Sequence, residues 1–224
     1  MSAEEVVAEL RRTVLFADAD PARLAPLAGR AFLRRFAAGQ VVVTEGEPSD
    51  HLYLVRAGRL RVLVRSPHGD ELTLSVLGPG DTLGELSVID RQPRSASVEA
   101  LTDAQLVALP AAEVREVLRS DPVLLLAAAT ELAATVRRLT GGTADLVFLD
   151  LPRRLAKLLL AGAGPGTERV EPGMSQSGLA ARLGVTRQSL NRSLTGLVRR
   201  GWVRQEDGGY VLVDPEALRR FAES

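Results

Sequence analysis

The chain has 224 residues, 46% of them hydrophobic and 25% charged, which is enough for one large or two ordinary globular domains. It has no cysteine and only two histidines, His51 and His68. That excludes structural disulfides, thiolate zinc sites and cysteine-ligated iron–sulfur clusters, and argues against a metal site, a haem ligand set or a catalytic triad. The net charge is zero, yet residues from Leu151 onward carry 12 basic and 7 acidic side chains, against 16 and 21 in the rest. A basic C-terminal part suited to a polyanion is therefore joined to an acidic N-terminal part.

The acidic start, Met1 to Glu5, lacks the basic and apolar stretches of an export signal. No apolar run reaches the ~18–20 residues that span a bilayer. A cytoplasmic protein with no membrane partner is expected. A short helix over Ala3 to Arg12 and a second over Pro21 to Ala28 come first. Residues 31 to 109 then read as short strands: Val41 to Val43, Leu52 to Val55, Leu60 to Val64, Leu72 to Val76, Ala96 to Val98 and Gln105 to Leu109. Between them stand Gly/Pro turns such as Glu45-Gly46-Glu47-Pro48 and Gly78-Pro79-Gly80-Asp81, the pattern of a sandwich or barrel.

From Pro110 the pattern turns helical. Ala111 to Leu118 is a short helix, and Ser120-Asp121-Pro122 restarts the next with a capping Asp and a Pro at its first position. On that long helix Ala129, Leu132, Val136, Leu139 and Thr143 form a stripe, which is either a dimer seam or packing against the protein's own barrel. Ala127 to Ala129 and Ala133-Ala134 favour close helix approach, hence the seam. Gly141-Gly142 is expected to loosen or bend the helix. Leu149-Asp150-Leu151-Pro152 reads as a joint before a further amphipathic helix over Arg153 to Leu160. Gly162 to Gly166 contains a Gly-x-Gly, but it follows a helix and includes Pro165, so it reads as a linker rather than a phosphate loop.

The sharpest local pattern lies at Ser175 to Arg200. Ser175, with Gln176 behind it, caps a helix through Leu179, Ala180 and Leu183. Gly184 makes a sharp turn, Val185 plugs the core, and Thr186 caps a second helix. Leu190, Leu194 and Leu197 lie inward on that helix, while Arg187, Gln188, Asn191 and Arg192 share its outer face. Arg matches guanine O6/N7, and Gln or Asn matches adenine N6/N7, so this face is suited to reading double-stranded DNA in the major groove. A merely solvated helix would carry Glu and Lys, and this one has neither. Alternating runs around Gln205 to Gly209, with Asp207-Gly208-Gly209 as the turn, form a β-hairpin wing. Trp202 reads as a core anchor.

One segment of the strand region carries anion chemistry. In Leu83-Gly84-Glu85-Leu86-Ser87 and Pro93-Arg94-Ser95-Ala96-Ser97, Gly84 lets backbone amides approach an anion, Arg94 neutralises it and Ser95 adds a hydroxyl donor. Glu85 can accept from a ribose hydroxyl, or else simply pair with Arg94.

Gly-Glu-Leu-Ser followed by Pro-Arg-Ser-Ala resembles the phosphate-binding cassette of cyclic-nucleotide-binding domains. With the long helix, Val147-Phe148-Leu149-Asp150 and Gly184-Val185-Thr186-Arg187, nearly the whole chain resembles the CRP/FNR family of bacterial regulators, in its catabolite-activator type. The resemblance implies an α+β fold with three parts. These are a cyclic-nucleotide-binding β-roll (a jelly roll) over 1–120, a dimerisation helix and hinge over 121–150, and a winged helix-turn-helix over 151–224. It implies that Glu85 holds the ribose, that Arg94 and Ser95 with the Gly84 and Leu86 amides hold the cyclic phosphate beside Ser87, and that positions 139 and 140 meet the base. cAMP is the implied effector, with cGMP as a second choice and no metal. A homodimer on palindromic DNA, meeting RNA polymerase, is the implied assembly. Three positions depart from the family: Leu139 stands where cAMP-responsive relatives carry threonine, though Thr140 follows; Gln188 stands where Glu is frequent; and Gly178 replaces an acidic residue at the start of the first helix. The alternatives are a family member without a nucleotide or with another effector, an enzyme, for which no catalytic motif is present, and a protein-interaction module.

Overall fold

A computed structural model describes residues 1–163, 168–170, 175–206 and 209–223. The chain forms two compact units, Met1–Gly69 with Leu74–Arg137, and Asp70–Thr73 with Arg138–Ser224.

The first unit opens with helices α1 (Ala3–Leu10) and α2 (Pro21–Gly29), capped by Ser2 and Asp20. α1 ends at Leu10, two residues before the expected end. Eight strands follow: β1 (Phe32–Phe36), β2 (Val41–Val43), β3 (His51–Ala57), β4 (Leu60–Arg65), β5 (Glu71–Leu77), β6 (Thr82–Leu83), β7 (Ser97–Ala100) and β8 (Ala104–Pro110). They make two four-stranded sheets, ordered β1-β8-β3-β6 and β2-β7-β4-β5. The central strands β3 and β8 are buried on both faces, which is why they read as continuous apolar runs rather than alternating ones. Leu52, Leu54, Val107 and Leu109 face a core shared with the helices. Tyr53, Val55, Leu106 and Ala108, one residue out of phase, face a second core inside the roll.

Between β6 and β7 the chain forms helix α3 (Glu85–Asp90), where a stretch between strands was expected. Helix α4 (Ala111–Ser120) covers the outer core. Asp121 accepts from the Val123 amide at 3.0 Å and opens the long helix α5 (Pro122–Phe148). Leu124 and Ala128 are its buried residues. Of the expected stripe, Leu132 is partly buried, whereas Ala129, Val136, Leu139 and Thr143 are exposed, Val136 at 61%. The helix therefore packs on its own barrel through a different face. Gly141-Gly142 does not break it: α5 continues for another turn and a half.

In the second unit Asp150 caps α6 (Leu151–Gly162), accepting from the Arg153 amide at 3.1 Å, and Lys157 binds Asp145 at 2.6 Å across the joint. Strand β9 (Arg169–Val170) pairs with β11 (Gly209–Leu212), itself antiparallel to β10 (Val203–Glu206). Helices α7 (Gln176–Leu183), α8 (Arg187–Arg199) and α9 (Pro215–Glu223) complete one apolar core with α6. Trp202 is half-buried against Phe221, with the Arg200 guanidinium 4.9 Å from both rings. The turn residues Asp207-Gly208 and most of the 162–166 segment lie outside the described residues.

Two predictions follow from this packing. Gly58 has φ +87°, and a Cβ there would run into the Asp103 carbonyl oxygen and lie 2.7 Å from Ala104 Cα. Gly69 has the same sign of φ (+88°) and open space around it. Gly58→Ala should therefore destabilise the protein well beyond the ~1–3 kcal/mol expected for the backbone strain that Gly69→Ala alone incurs, measured by urea melts. The second concerns Glu131 on α5. Burial raises its carboxyl above the ordinary value of 4.5, and the charges of Glu85 and Asp81 push the same way. The folded state thus holds this proton more tightly than the unfolded chain does. The stability from this group is fully present below 4.5 and is lost as pH rises through the elevated folded value. Glu131→Gln should melt higher than the parent at neutral pH, with the difference vanishing towards about pH 4.

Candidate effector pocket and DNA-reading face

Gly84 links β6 to α3 with a left-handed backbone, φ +92°. It has no side chain, and the Arg94 guanidinium occupies the space one would fill. A Cβ at position 84 would overlap Nη1 and stand 2.9 Å from Cζ. The cassette's glycine and arginine are thus a steric pair.

Arg94 is 6% exposed. Its backbone is pinned to the β2–β3 turn, donating to the Glu47 carbonyl at 2.9 Å and accepting from the Gly46 amide at 2.8 Å. Nη2 donates to the His51 carbonyl at 2.7 Å, and Cζ lies 5.8 Å from the Tyr53 ring centroid. The Tyr53 hydroxyl in turn accepts from Arg34 Nη1 at 3.1 Å. Nη1 of Arg94 is buried and makes no hydrogen bond among the described residues. Burial draws the guanidinium below its ordinary value, while Tyr53, Glu85 and Asp50 oppose the shift. Among the described residues no carboxylate pairs with it directly, so the reading of Glu85 and Arg94 as a salt bridge does not hold. Such a group is a positive charge with a donor to spare, facing Gly84.

Glu85 opens the first turn of α3, where helix amides lack intrahelical acceptors. It lines a small cavity with Glu131 and apolar side chains including Leu52, Val88 and Leu132. Leu86 is 36% exposed on the same turn. Ser87 is buried, its hydroxyl 3.4 Å from the Pro93 carbonyl oxygen, and Ser95 is exposed. The structure thus brings Gly84, Glu85 and Arg94 together. Leu139 and Thr140 lie exposed on α5 after Arg137, the last α5 residue of the first unit. Tyr53 and the His51 carbonyl, which hold Arg94, were not singled out in the sequence: Tyr53 lies in a strand that reads as core, and His51 contributes only its backbone.

In the second unit Ser175 accepts from the Gly178 amide at 3.2 Å and Thr186 from the Ser189 amide at 3.2 Å, so both helices carry the expected caps. Gly178 supplies its amide but no returning side chain, so the first cap is one-sided. Gly184 has φ +65° in the turn between them, and Val185 packs partly buried against the core. Leu190, Leu194 and Leu197 are buried, while Arg187, Gln188 and Arg192 are exposed and Asn191 is half-exposed. Gln176 connects the two helix starts: its Oε1 lies 3.4 Å from Arg187 Nη2, and its side chain bonds the Tyr210 hydroxyl of the wing. From Ser175 to Arg200 there are five arginines and no carboxylate.

Comparison with known proteins assigns a domain to each unit's site-bearing segment. Residues 33–121 match the cyclic nucleotide-binding domain, and residues 153–221 match the Crp-like helix-turn-helix domain. The chain is 33% identical, over 95% of its length and 98% of the relative's, to a CRP-like cAMP-activated global transcriptional regulator of Mycobacterium tuberculosis. It is also 33% identical, over 84% of its length and 87% of the relative's, to a cyclic AMP receptor protein of Thermus thermophilus. Among solved structures, a CRP/FNR-family transcriptional regulator of Thermus thermophilus superposes with a TM-score of 0.69 at 28% identity, covering 86% of this chain and 99% of its own. This chain therefore belongs to the CRP/FNR family of DNA-binding transcription regulators, with a cyclic nucleotide-binding domain and a Crp-like helix-turn-helix.

Proposed function

We propose that this regulator binds DNA under the control of a cyclic nucleotide, cAMP in the first instance and cGMP as the second candidate. The observation that carries the reading is the buried Arg94 guanidinium, whose Nη1 lacks a partner and sits against Gly84. A cyclic phosphate offers that donor the anionic acceptor it lacks. In this reading the Gly84 and Leu86 amides, Ser87 and Ser95 complete the phosphate shell, Glu85 accepts from the ribose hydroxyl, and Leu139 and Thr140 meet the base. The names of the relatives, cAMP-activated in Mycobacterium tuberculosis and a cyclic AMP receptor in Thermus thermophilus, support the choice of nucleotide.

On the DNA side Arg187, Gln188, Asn191 and Arg192 read base edges, and Ser175, Gln176 and Thr186 at the helix starts approach phosphates. Two copies, joined along the exposed face of α5, place their α8 helices in successive major grooves of a palindrome, ~34 Å apart. The β-roll over 1–120, the helix and hinge over 121–150 and the DNA-binding part over 151–224 act as three working pieces, turning about Leu149-Asp150. Ligand shifts a pre-existing equilibrium between two arrangements of them. A regulator of this kind meets RNA polymerase in the cytoplasm and is expected to leave its nucleotide chemically unchanged. One residue favours a second reading, a family member answering to another small effector: Leu139 offers the base no hydrogen bond.

Titration of the protein with cAMP and cGMP by calorimetry tests the pocket. Arg94→Leu should keep the fold yet weaken nucleotide binding by at least ~30-fold, the loss of a buried charge-assisted contact. Normal affinity in that variant would refute the pocket, and silence of the parent with both nucleotides would favour the second reading. For the DNA face, binding to a palindromic site is measured with and without cAMP at fixed salt. Arg192→Ala should cost about 1–3 kcal/mol and relax sequence preference. An unchanged affinity would instead support a protein-interaction role for this helix.

A further inference from the structure

The cassette has a second side. Behind Ser87 and Pro93, the β2–β3 turn, the end of α3 and helix α4 enclose an open groove of about 390 Å3, within the size range of small-molecule sites. Its polar residues include Arg91 and Arg115, Ser49 and one acidic residue, Asp50. Arg91 has a left-handed backbone, φ +62°, and is the one non-glycine with positive φ among the described residues. A long cationic side chain at a position that favours glycine is a feature associated with functional sites. Arg115 is moored by Nη1 to the Val88 carbonyl at 3.3 Å, and its planar fork carries further donors. Ser49 Oγ is buried and has no hydrogen-bond partner, an orphan that native proteins seldom leave. The neighbouring Asp90 carboxylate is already engaged by the Gln92 amide at 2.8 Å.

We propose that this groove is a second anion site, distinct from the nucleotide pocket. It takes a small molecule with at least two anionic groups, phosphate or carboxylate, held between Arg91 and Arg115. Two cations supplied from two different elements favour a ligand that engages both forks over a monoanion. Both walls of the groove lead to Arg94. Pro93 precedes it, Glu47 and Gly46 bind its backbone, and the His51 carbonyl, next to Asp50, accepts from Nη2. An anion bound at Arg91, against the turn that carries Pro48 to Asp50, therefore stiffens the segments that aim the buried guanidinium. This coupling rests on the nucleotide reading above; the site itself does not.

The test uses the full chain in magnesium-free buffer, titrated with inorganic pyrophosphate and, separately, with citrate. Each titration is repeated at saturating cAMP and in the Arg94→Leu background, so that the inner pocket is occupied or stripped of its cation. Binding should persist in both conditions. It should fall ~10-fold or more in Arg91→Gly combined with Arg115→Gln, where two charge-assisted contacts are lost. Arg91→Gly suits the left-handed backbone, so this change removes the charge without straining the fold. Pyrophosphate binding alone identifies a phosphate ligand, and citrate binding alone a carboxylate. Displacement by cAMP, loss in Arg94→Leu with no effect of the Arg91 and Arg115 changes, or failure of both anions to bind overturns the site. Failure of cAMP to bind overturns the nucleotide reading instead and leaves the anion titrations readable.

Discussion

The β-roll is organised around a cation that it buries without neutralising. Removing a guanidinium from water is costly, and proteins normally recover that cost with a carboxylate. The same roll does so elsewhere: Arg61 on β4 faces Glu99 on β7 as a registered cross-strand pair, 2.8 Å apart. Arg94 receives only a carbonyl and an aromatic face, with Glu85 near but unbonded. Its position is fixed by backbone hydrogen bonds and steric fit instead. The turn at Glu45 to Pro48 clamps its backbone, and Gly84 yields the space for its head group. A site so arranged is electrostatically incomplete on its own. The unmade interaction is the one that a phosphodiester would complete in the proposed reading.

The long helix shows the same division between what is satisfied and what is left open. Leu124 and Ala128 anchor its first half in the outer core, whereas Val136, Leu139, Leu146 and Val147 are exposed, Leu139 at 51%. A monomer gains nothing from so much apolar surface in water, and the self-complementary partner proposed above would remove it. Gly141-Gly142 lowers the helix's intrinsic stability without interrupting it. The proposed base contacts at Leu139 and Thr140 lie immediately before that weak point. A modest ligand-dependent change in packing there has a lever to act on, since typical allosteric couplings amount to only about 1–3 kcal/mol.

How much of this was legible in the sequence depended on range. The helix-turn-helix was readable almost residue by residue because its signals are local: Ser175 and Thr186 as caps, Gly184 as the turn, leucines at helical spacing. The double-faced burial of β3 and β8 showed up as unbroken apolar runs. Strand β1 was missed because Arg34 and Arg35 interrupt it; their stems lie on the sheet while Arg34 reaches the Tyr53 hydroxyl. Helix α3 was missed because it has six residues and a glycine cap with no side-chain signal. The charged residues of the outer groove, from positions 50, 91 and 115, are too far apart in sequence for any spacing to join them. Glu131 carries no signal of its own in the sequence, and only the fold sets it beside Glu85.

Net charge proves a poor measure of DNA contact in the second unit. Its basic residues are numerous, but many are engaged within the fold. Arg154 donates to the Leu183 carbonyl, Lys157 pairs with Asp145, Arg169 and Arg204 share Glu206, and Arg200 stacks on Trp202 and Phe221. Arg182 is half-buried, lowered by desolvation and by the nearby Arg138. The salt dependence of binding counts phosphates neutralised, not arginines present. The residues on the outer face of α8 are few, and all four are amide or guanidinium groups in a stretch, Ser175 to Arg200, that contains no carboxylate. In the proposed reading, the sequence preference of such a surface rests on these directed side chains, and the excess of basic residues adds little to it.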